Sequence, residues 1–103
     1  MVTVDAGEPW DGFVARAVDE GWVGVEALSG IPGSAGATPL QNVGAYGQEV
    51  SQTIAQVRTY DRSEQSIRTF AAGDCGFGYR TSMFRRNPRF VVLSVTFQFV
   101  SGT

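Results

Sequence analysis

The sequence predicts an α+β fold, and three features predict it. One helical periodicity runs from Trp10 to Val18, several short strand-like segments surround it, and no regular alternation of strands with long helices is present. The chain has 103 residues, 43% of them hydrophobic and 12% aromatic, which suffices for one modest core.

The elements follow in order. Val2-Thr3-Val4 alternates with polar neighbours and stops at Gly7, so it reads as a short strand. Glu8-Pro9-Trp10 opens a helix, with Pro9 suited to the first helical position because it has no N–H to leave unpaired. Trp10, Phe13, Val14, Ala17 and Val18 share one face, and Asp11, Arg16, Asp19 and Glu20 occupy the remainder. Gly21 is placed to end the helix in the left-handed region. The apolar segment Trp22 to Leu28 leads into a glycine-rich run. Within that run, Ser34 to Asn42 has room for a helical turn or two, interrupted by Pro39.

From Ile54 the pattern turns to strands. Ile54, Val57 and Thr59-Tyr60 form one strand, Asp61 to Gln65 a turn, and Ser66 to Phe70 the return, which together make a hairpin. Ala71 to Phe77 reads as a one-turn helix. Arg89 to Val100 is the strongest strand, with Val95, Phe97 and Phe99 on one face and Thr96 and Gln98 on the other. It runs straight to Val100-Ser101-Gly102-Thr103 with no following element, so both ends read as cuts through a longer protein.

Composition excludes several functions. The net charge of −2 argues against a nucleic-acid surface. All eight basic residues are Arg, and there is no His, so His-based triads and most zinc sites are excluded within these residues. Cys75 is the single cysteine and cannot form an internal disulfide. It has no His or Lys to lower its pKa, which favours a buried residue over a nucleophile. No apolar run has the length of a membrane span, and the N-terminus lacks the pattern of a signal peptide, so the expected location is cytoplasmic.

The run from Ser29 to Gly47 holds five glycines, two prolines and no charged residue, with Ile31, Leu40, Val43 and Tyr46 threaded through it. A flexible linker would lack those apolar side chains. Two readings stand: a structural turn whose glycines allow tight packing, or an anion loop whose bare N–H groups face a phosphate. It carries neither a Walker A pattern nor a Rossmann glycine fingerprint. The second segment is Phe77-Gly78-Tyr79-Arg80-Thr81-Ser82-Met83-Phe84. Arg80 lies between aromatics, where stacking on Tyr79 and Phe84 would aim its fork at a carboxylate or phosphate. An ordinary surface Arg packed on an aromatic is the alternative. Arg85, Arg86 and Arg89 read as a solvated basic cluster.

Together these segments resemble a known family. Ser29-Gly30-Ile31-Pro32-Gly33-Ser34-Ala35-Gly36-Ala37 and Gln41-Asn42-Val43-Gly44-Ala45-Tyr46-Gly47 resemble the flavin-binding core of the UDP-N-acetylenolpyruvoylglucosamine reductases, the UDP-N-acetylmuramate dehydrogenases. Tyr79-Arg80-Thr81-Ser82-Met83-Phe84 resembles their Tyr-Arg-x-Ser-x-Phe motif. The resemblance implies an FAD-binding PCMH-type α+β domain, present here in part over residues 1–103. The upstream FAD loop and the C-terminal substrate-binding domain would lie outside. It further implies FAD and NADPH as cofactors, a UDP-sugar substrate, and reduction of an enolpyruvyl group in peptidoglycan precursor synthesis. On this resemblance Arg80 is catalytic, and Tyr79 and Arg80 bind substrate. Gly30, Ile31, Pro32, Gly33, Ser34, Ala35, Gly36, Gln41, Asn42, Gly44, Ala45, Tyr46 and Gly47 face FAD, with the N–H groups of Gly33 to Gly36 directed at it. The family's proton-donating Ser and catalytic Glu match nothing before Thr103, so these residues alone are expected to bind FAD weakly and to be inactive. A flavin oxidase of the same fold, or a remnant without activity, is the alternative; Tyr79-Arg80-x-Ser82 argues against the oxidase.

Overall fold

The computed structural model describes residues 1–101. Strand β1 (Val2–Asp5) leads to helix α1 (Trp10–Asp19) and the short strand β2 (Trp22–Val23). The hairpin strands β3 (Gly44–Ala45) and β4 (Gln48–Glu49) precede β5 (Ile54–Asp61) and β6 (Ser66–Ala71). Helix α2 (Met83–Arg86), β7 (Phe90–Phe97) and β8 (Val100–Ser101) complete the order. Four strands form an antiparallel sheet in the order β1-β7-β5-β6. The α+β class is as predicted.

The helix starts one residue later than its sequence suggests. Pro9 is extended, with ψ at 129°, and caps α1 rather than occupying its first turn. The reason lies in its neighbours: the flanking Trp10 N–H donates to the Gly33 carbonyl at 2.9 Å, which holds Pro9 in a strand-like bridge beside Ser34. Gly21 ends the helix as predicted, at φ +76°, with its N–H donating to Val18 O. Trp10, Phe13, Val14 and Ala17 are buried, but Val18 is 56% exposed. Four residues already fill the stripe that faces the sheet, and Val18 lies past its edge.

The predicted 89–100 strand divides. Strand β7 ends at Phe97, where the Gln98 N–H donates to Thr53 O at 2.7 Å. The chain then leaves the sheet, and β8 pairs with β2 instead. Phe99 still stacks on Phe97 (5.6 Å, 6°) and on Trp22 (5.7 Å, 7°), so the predicted apolar face continues across the break. Thr96 sits on the opposite face and shares a hydroxyl hydrogen bond with Thr3. Gly102 and Thr103 lie outside the described residues.

Two aromatic clusters anchor the core. Trp10, Phe13 and Phe97 join α1 to the sheet, with Phe13 and Phe97 centroids 5.3 Å apart. Phe70 meets Phe84 and Phe90 edge-on at the far end, which ties α2 to β6 and β7.

The β5–β6 turn is built on a buried carboxylate. Asp61 is the last residue of β5 and is 1% exposed. It accepts a two-point bond from Arg89 (2.7 and 2.8 Å) and the N–H groups of Ser63 and Glu64. The Arg89 hydrogen bond, more than the turn N–H groups, lowers its pKa from 3.8 to about 2. Such a group stabilises the fold fully above its unfolded value, and that contribution is lost as pH falls through the folded one. Asp61→Asn is therefore expected to lower stability near neutrality and to flatten the loss between about pH 4 and pH 2. Denaturation midpoints across that range check it; parallel curves for the two proteins would contradict it.

Candidate functional site

The glycine-rich run folds as a loop laced to β1 and α1. Trp10 N–H donates to Gly33 O, Ala35 N–H to Glu8 O (2.7 Å) and Gly36 N–H to Ala6 O (2.9 Å). Gly36 is buried where a Cβ would collide with the Ala6 side chain and lie 2.8 Å from its Cα. Its glycine thus serves a close approach to the backbone. The predicted role of four N–H groups directed at FAD is corrected on this point: those of Ala35 and Gly36 are engaged within the protein. Those of Gly33 and Ser34 donate to no acceptor among the described residues. Gly30 (φ +82°) and Gly33 (φ +117°) stand with open space where a Cβ would be. Gly30 N–H binds the Asp11 carboxylate at 2.6 Å.

The predicted helical turns of Ser34 to Asn42 reduce to one 3-10 turn over Ala35–Ala37, with Pro39 buried behind it. On one side of this loop, Ile31, Pro32, Ser34, Ala37, Thr38, Gln41 and Val43 line a cleft of about 260 Å³. On the other, Ser34, Gly36, Ala37 and Leu40 face Phe84, Phe90 and Val92 across about 440 Å³. Ser34, whose N–H has no acceptor among the described residues, lines both clefts beside apolar side chains, an arrangement with room for a group that is part phosphate and part ring.

The β3–β4 hairpin was not foreseen in the sequence. Its two-residue turn is Tyr46 (φ +51°) and Gly47 (φ +81°), the conformation that suits a right-twisted hairpin. Gln48 fastens it to the preceding segment: its amide oxygen accepts the Ala27 N–H, and its nitrogen donates to Glu26. Facing the hairpin is a second tight turn. Gly78 and Thr81 bridge each other, which leaves Tyr79 and Arg80 at the tip. Arg80 adopts φ +53° there. Asn42, Tyr46 and Arg80 are three of the four non-glycine residues with positive φ among the described residues, and all three are in this region. Such strain concentrates where function fixes a geometry.

Ala45, Gly47, Gln48, Glu49, Tyr79 and Arg80 line a cleft of about 230 Å³ between the two turns. The Arg80 guanidinium carbon lies 4.8 Å from the Tyr79 ring centroid. Phe84, the other expected stacking partner, is instead buried against Phe70. Arg80 Nη1 lies 3.6 Å from Glu49 Oε2. Tyr46 and Tyr79 are exposed at 94% and 82%, one on each side of the cleft.

Asn42 and Ser82 hold the site from within. The Asn42 amide donates to Gly78 O (2.8 Å) and to Glu49 Oε2 (3.1 Å) and accepts the Ser51 N–H (3.0 Å). It is buried, and its polar atoms are engaged within the protein. Ser82 is fully buried and donates to Leu40 O at 2.9 Å, which ties the Arg80 segment to the loop. Arg85 and Arg86 are exposed, as a solvated cluster requires, but Arg89 is half-buried and departs from it. Arg85 donates to Arg80 O, Arg86 to Thr81 Oγ1 and Arg89 to Asp61. Cys75 is buried, and burial with the Asp74 charge raises its pKa to about 11, so it is no nucleophile.

Sequence reasoning missed Glu49. Its signal was available: no charged residue lies between Glu26 and Glu49. An isolated carboxylate closing a charge-free run, ahead of an isolated Arg, is a candidate partner for that Arg.

The comparisons with known proteins place this α+β fold in a class of FAD-binding domains. The family model described as an FAD binding domain matches residues 1–69, and the chain belongs to that family. It is 61% identical over 97 residues to the UDP-N-acetylenolpyruvoylglucosamine reductase of Thermobifida fusca, covering 94% of this chain and 27% of that protein. It is 58% identical over 104 residues to the reductase of the same name from Cutibacterium acnes, covering 100% of this chain and 28% of that one. The crystal structure of UDP-N-acetylenolpyruvylglucosamine reductase from Thermus caldophilus superposes with a TM-score of 0.87 at 25% identity, over 99% of this chain and 37% of that chain. The chain thus spans little more than a quarter of the length of the curated relatives it matches. No helix among the described residues is long and apolar enough to cross a membrane.

Proposed function

We propose that these residues form part of the FAD-binding domain of a UDP-N-acetylenolpyruvoylglucosamine reductase, which uses NADPH to reduce the enolpyruvyl group of its UDP-sugar substrate to UDP-N-acetylmuramate. The single observation that carries this reading is Arg80, held at a strained tip beside a cleft bounded by the hairpin of the glycine-rich run. FAD, when bound, supplies the hydride that NADPH provides. The Gly33 and Ser34 N–H groups, with Ile31, Pro32 and Gln41, would hold it along the loop. Gly44, Ala45, Tyr46 and Gly47 would bring the hairpin against it.

Hydride addition to the enol ether leaves negative charge on the carbon beside the substrate carboxylate. A fixed cation there stabilises the developing charge more than the ground state, which is what lowers a barrier. Arg80 keeps its charge at any working pH and presents a planar fork to a carboxylate. Tyr79, exposed beside it, gives the substrate an aromatic surface. The proton that completes the reduction comes from outside these residues. The motif serine, Ser82, is buried and committed to Leu40. The NADPH requirement, the cytoplasmic setting and the placement of a further FAD loop and a substrate domain elsewhere in a longer chain belong to this same proposal, as does the inactivity of residues 1–103 alone.

The test is a graft. These residues replace their counterpart in the Thermobifida fusca reductase, and NADPH oxidation is followed with and without the enolpyruvyl sugar nucleotide. Retained FAD with sugar-dependent oxidation is expected. Oxidation that depends on oxygen alone would move the chain to the oxidases of the same fold.

A further inference from the structure

We infer that Glu49 is a positioning residue for Arg80, an inference that rests on the catalytic reading of Arg80 above. Three surfaces confine the guanidinium. Gly44 forms its floor: a Cβ there would lie 2.6 Å from Arg80 Nη1, 2.7 Å from Gln48 O and 2.9 Å from Glu49 Cγ. The Tyr79 ring lies beside it at 4.8 Å. The Glu49 carboxylate stands 3.6 Å from Nη1. That distance is within ion-pair range but beyond a hydrogen bond, and the Arg80 side chain donates to no acceptor among the described residues. Glu49 therefore attracts the guanidinium without occupying its donors, and the fork stays available for a substrate carboxylate.

Glu49 is itself fixed. The same Oε2 accepts Asn42 Nδ2, whose second bond reaches Gly78 O at the base of the Arg80 turn. The Glu49 N–H donates to Gln52 Oε1 at 3.1 Å. Arg85 holds the Arg80 carbonyl at 2.7 Å. Asn42 thus ties the carboxylate and the Arg80 turn into one frame. Side chains of Arg80 and Glu49 are 39% and 33% exposed. An ion pair this exposed adds little to folding, so its consequence is placement of the cation.

The test uses the Thermobifida fusca graft carrying Glu49→Gln, which keeps the shape and an acceptor for Asn42 but removes the charge. Misplacing a reacting group by a fraction of an ångström costs rate, so kcat is expected to fall about tenfold. FAD content and the KM for NADPH should stay unchanged. In an Arg80→Ala background, the same substitution should change kcat by less than about twofold, because a residue acting through Arg80 has nothing left to position. Wild-type kcat in Glu49→Gln, or an equal loss in both backgrounds, would overturn the inference. Arg80→Ala at the wild-type rate would instead overturn the catalytic reading on which it rests.

Discussion

Arg80→Ala should slow reduction of the enolpyruvyl sugar nucleotide about a hundredfold, near 3 kcal/mol of barrier, the usual loss when one fixed charge-stabilising group is removed. The charge to be stabilised appears as hydride reaches the carbon–carbon double bond, and among the described residues the Arg80 guanidinium has no acidic or hydrogen-bonding partner closer than Glu49 at 3.6 Å. The interaction is strongest in the transition state, so kcat and kcat/KM should fall together. Arg80→Lys should recover only part of the rate, because an ammonium keeps the charge but not the two-point geometry. Steady-state rates of the grafted enzyme check both. A variant that raises KM and leaves kcat intact would make Arg80 a binding residue only.

Phe97→Ala should damage the fold severely, costing about 3–5 kcal/mol. Its ring is fully buried on β7 and touches Trp10 at 5.8 Å, Phe13 at 5.3 Å and Phe99 at 5.6 Å. It is therefore where α1, the sheet and the segment leading into β8 meet. A domain of this size has a total stability of about 5–15 kcal/mol, so the loss is a large fraction of it. Phe99→Ala, at a half-buried ring, should cost clearly less. Thermal unfolding of the two variants side by side checks the order; equal midpoints would show that Phe97 is not the junction described.

Much of this architecture is legible in the residues because local pattern and burial agree. Trp10, Phe13, Val14 and Ala17 mark a helix face, and Gly21 marks its end, since both depend on spacing and on φ alone. The hairpin of β5 and β6 is legible for the same reason. Strand β7 misled at its end: nothing in Gln98-Phe99-Val100 announces that Thr53 O captures the Gln98 N–H and turns the chain toward β2. That is a tertiary event. The β3–β4 hairpin escaped because its strands are two residues each and its turn places Tyr46, a residue that rarely takes positive φ, at the tip.

The site divides in the same way. Arg80 stands out by its isolation among aromatics, and the glycine-rich run by its lack of charge. Which glycine serves which purpose is not legible. Gly36 packs on Ala6, Gly44 makes room for Arg80, and Gly33 leaves its N–H unengaged, yet the three look alike in the sequence. The frame of Asn42, Glu49 and Gly78 joins residues up to 36 apart in the chain, and only folding brings them together.

The most direct measurement follows the flavin of the grafted enzyme without oxygen. The enzyme is reduced with one equivalent of NADPH and mixed with the enolpyruvyl sugar nucleotide while flavin absorbance is recorded. Rapid re-oxidation matched by an equivalent of UDP-N-acetylmuramate is the predicted result, slowed about a hundredfold in Arg80→Ala. A flavin that stays reduced until oxygen is admitted would contradict the account.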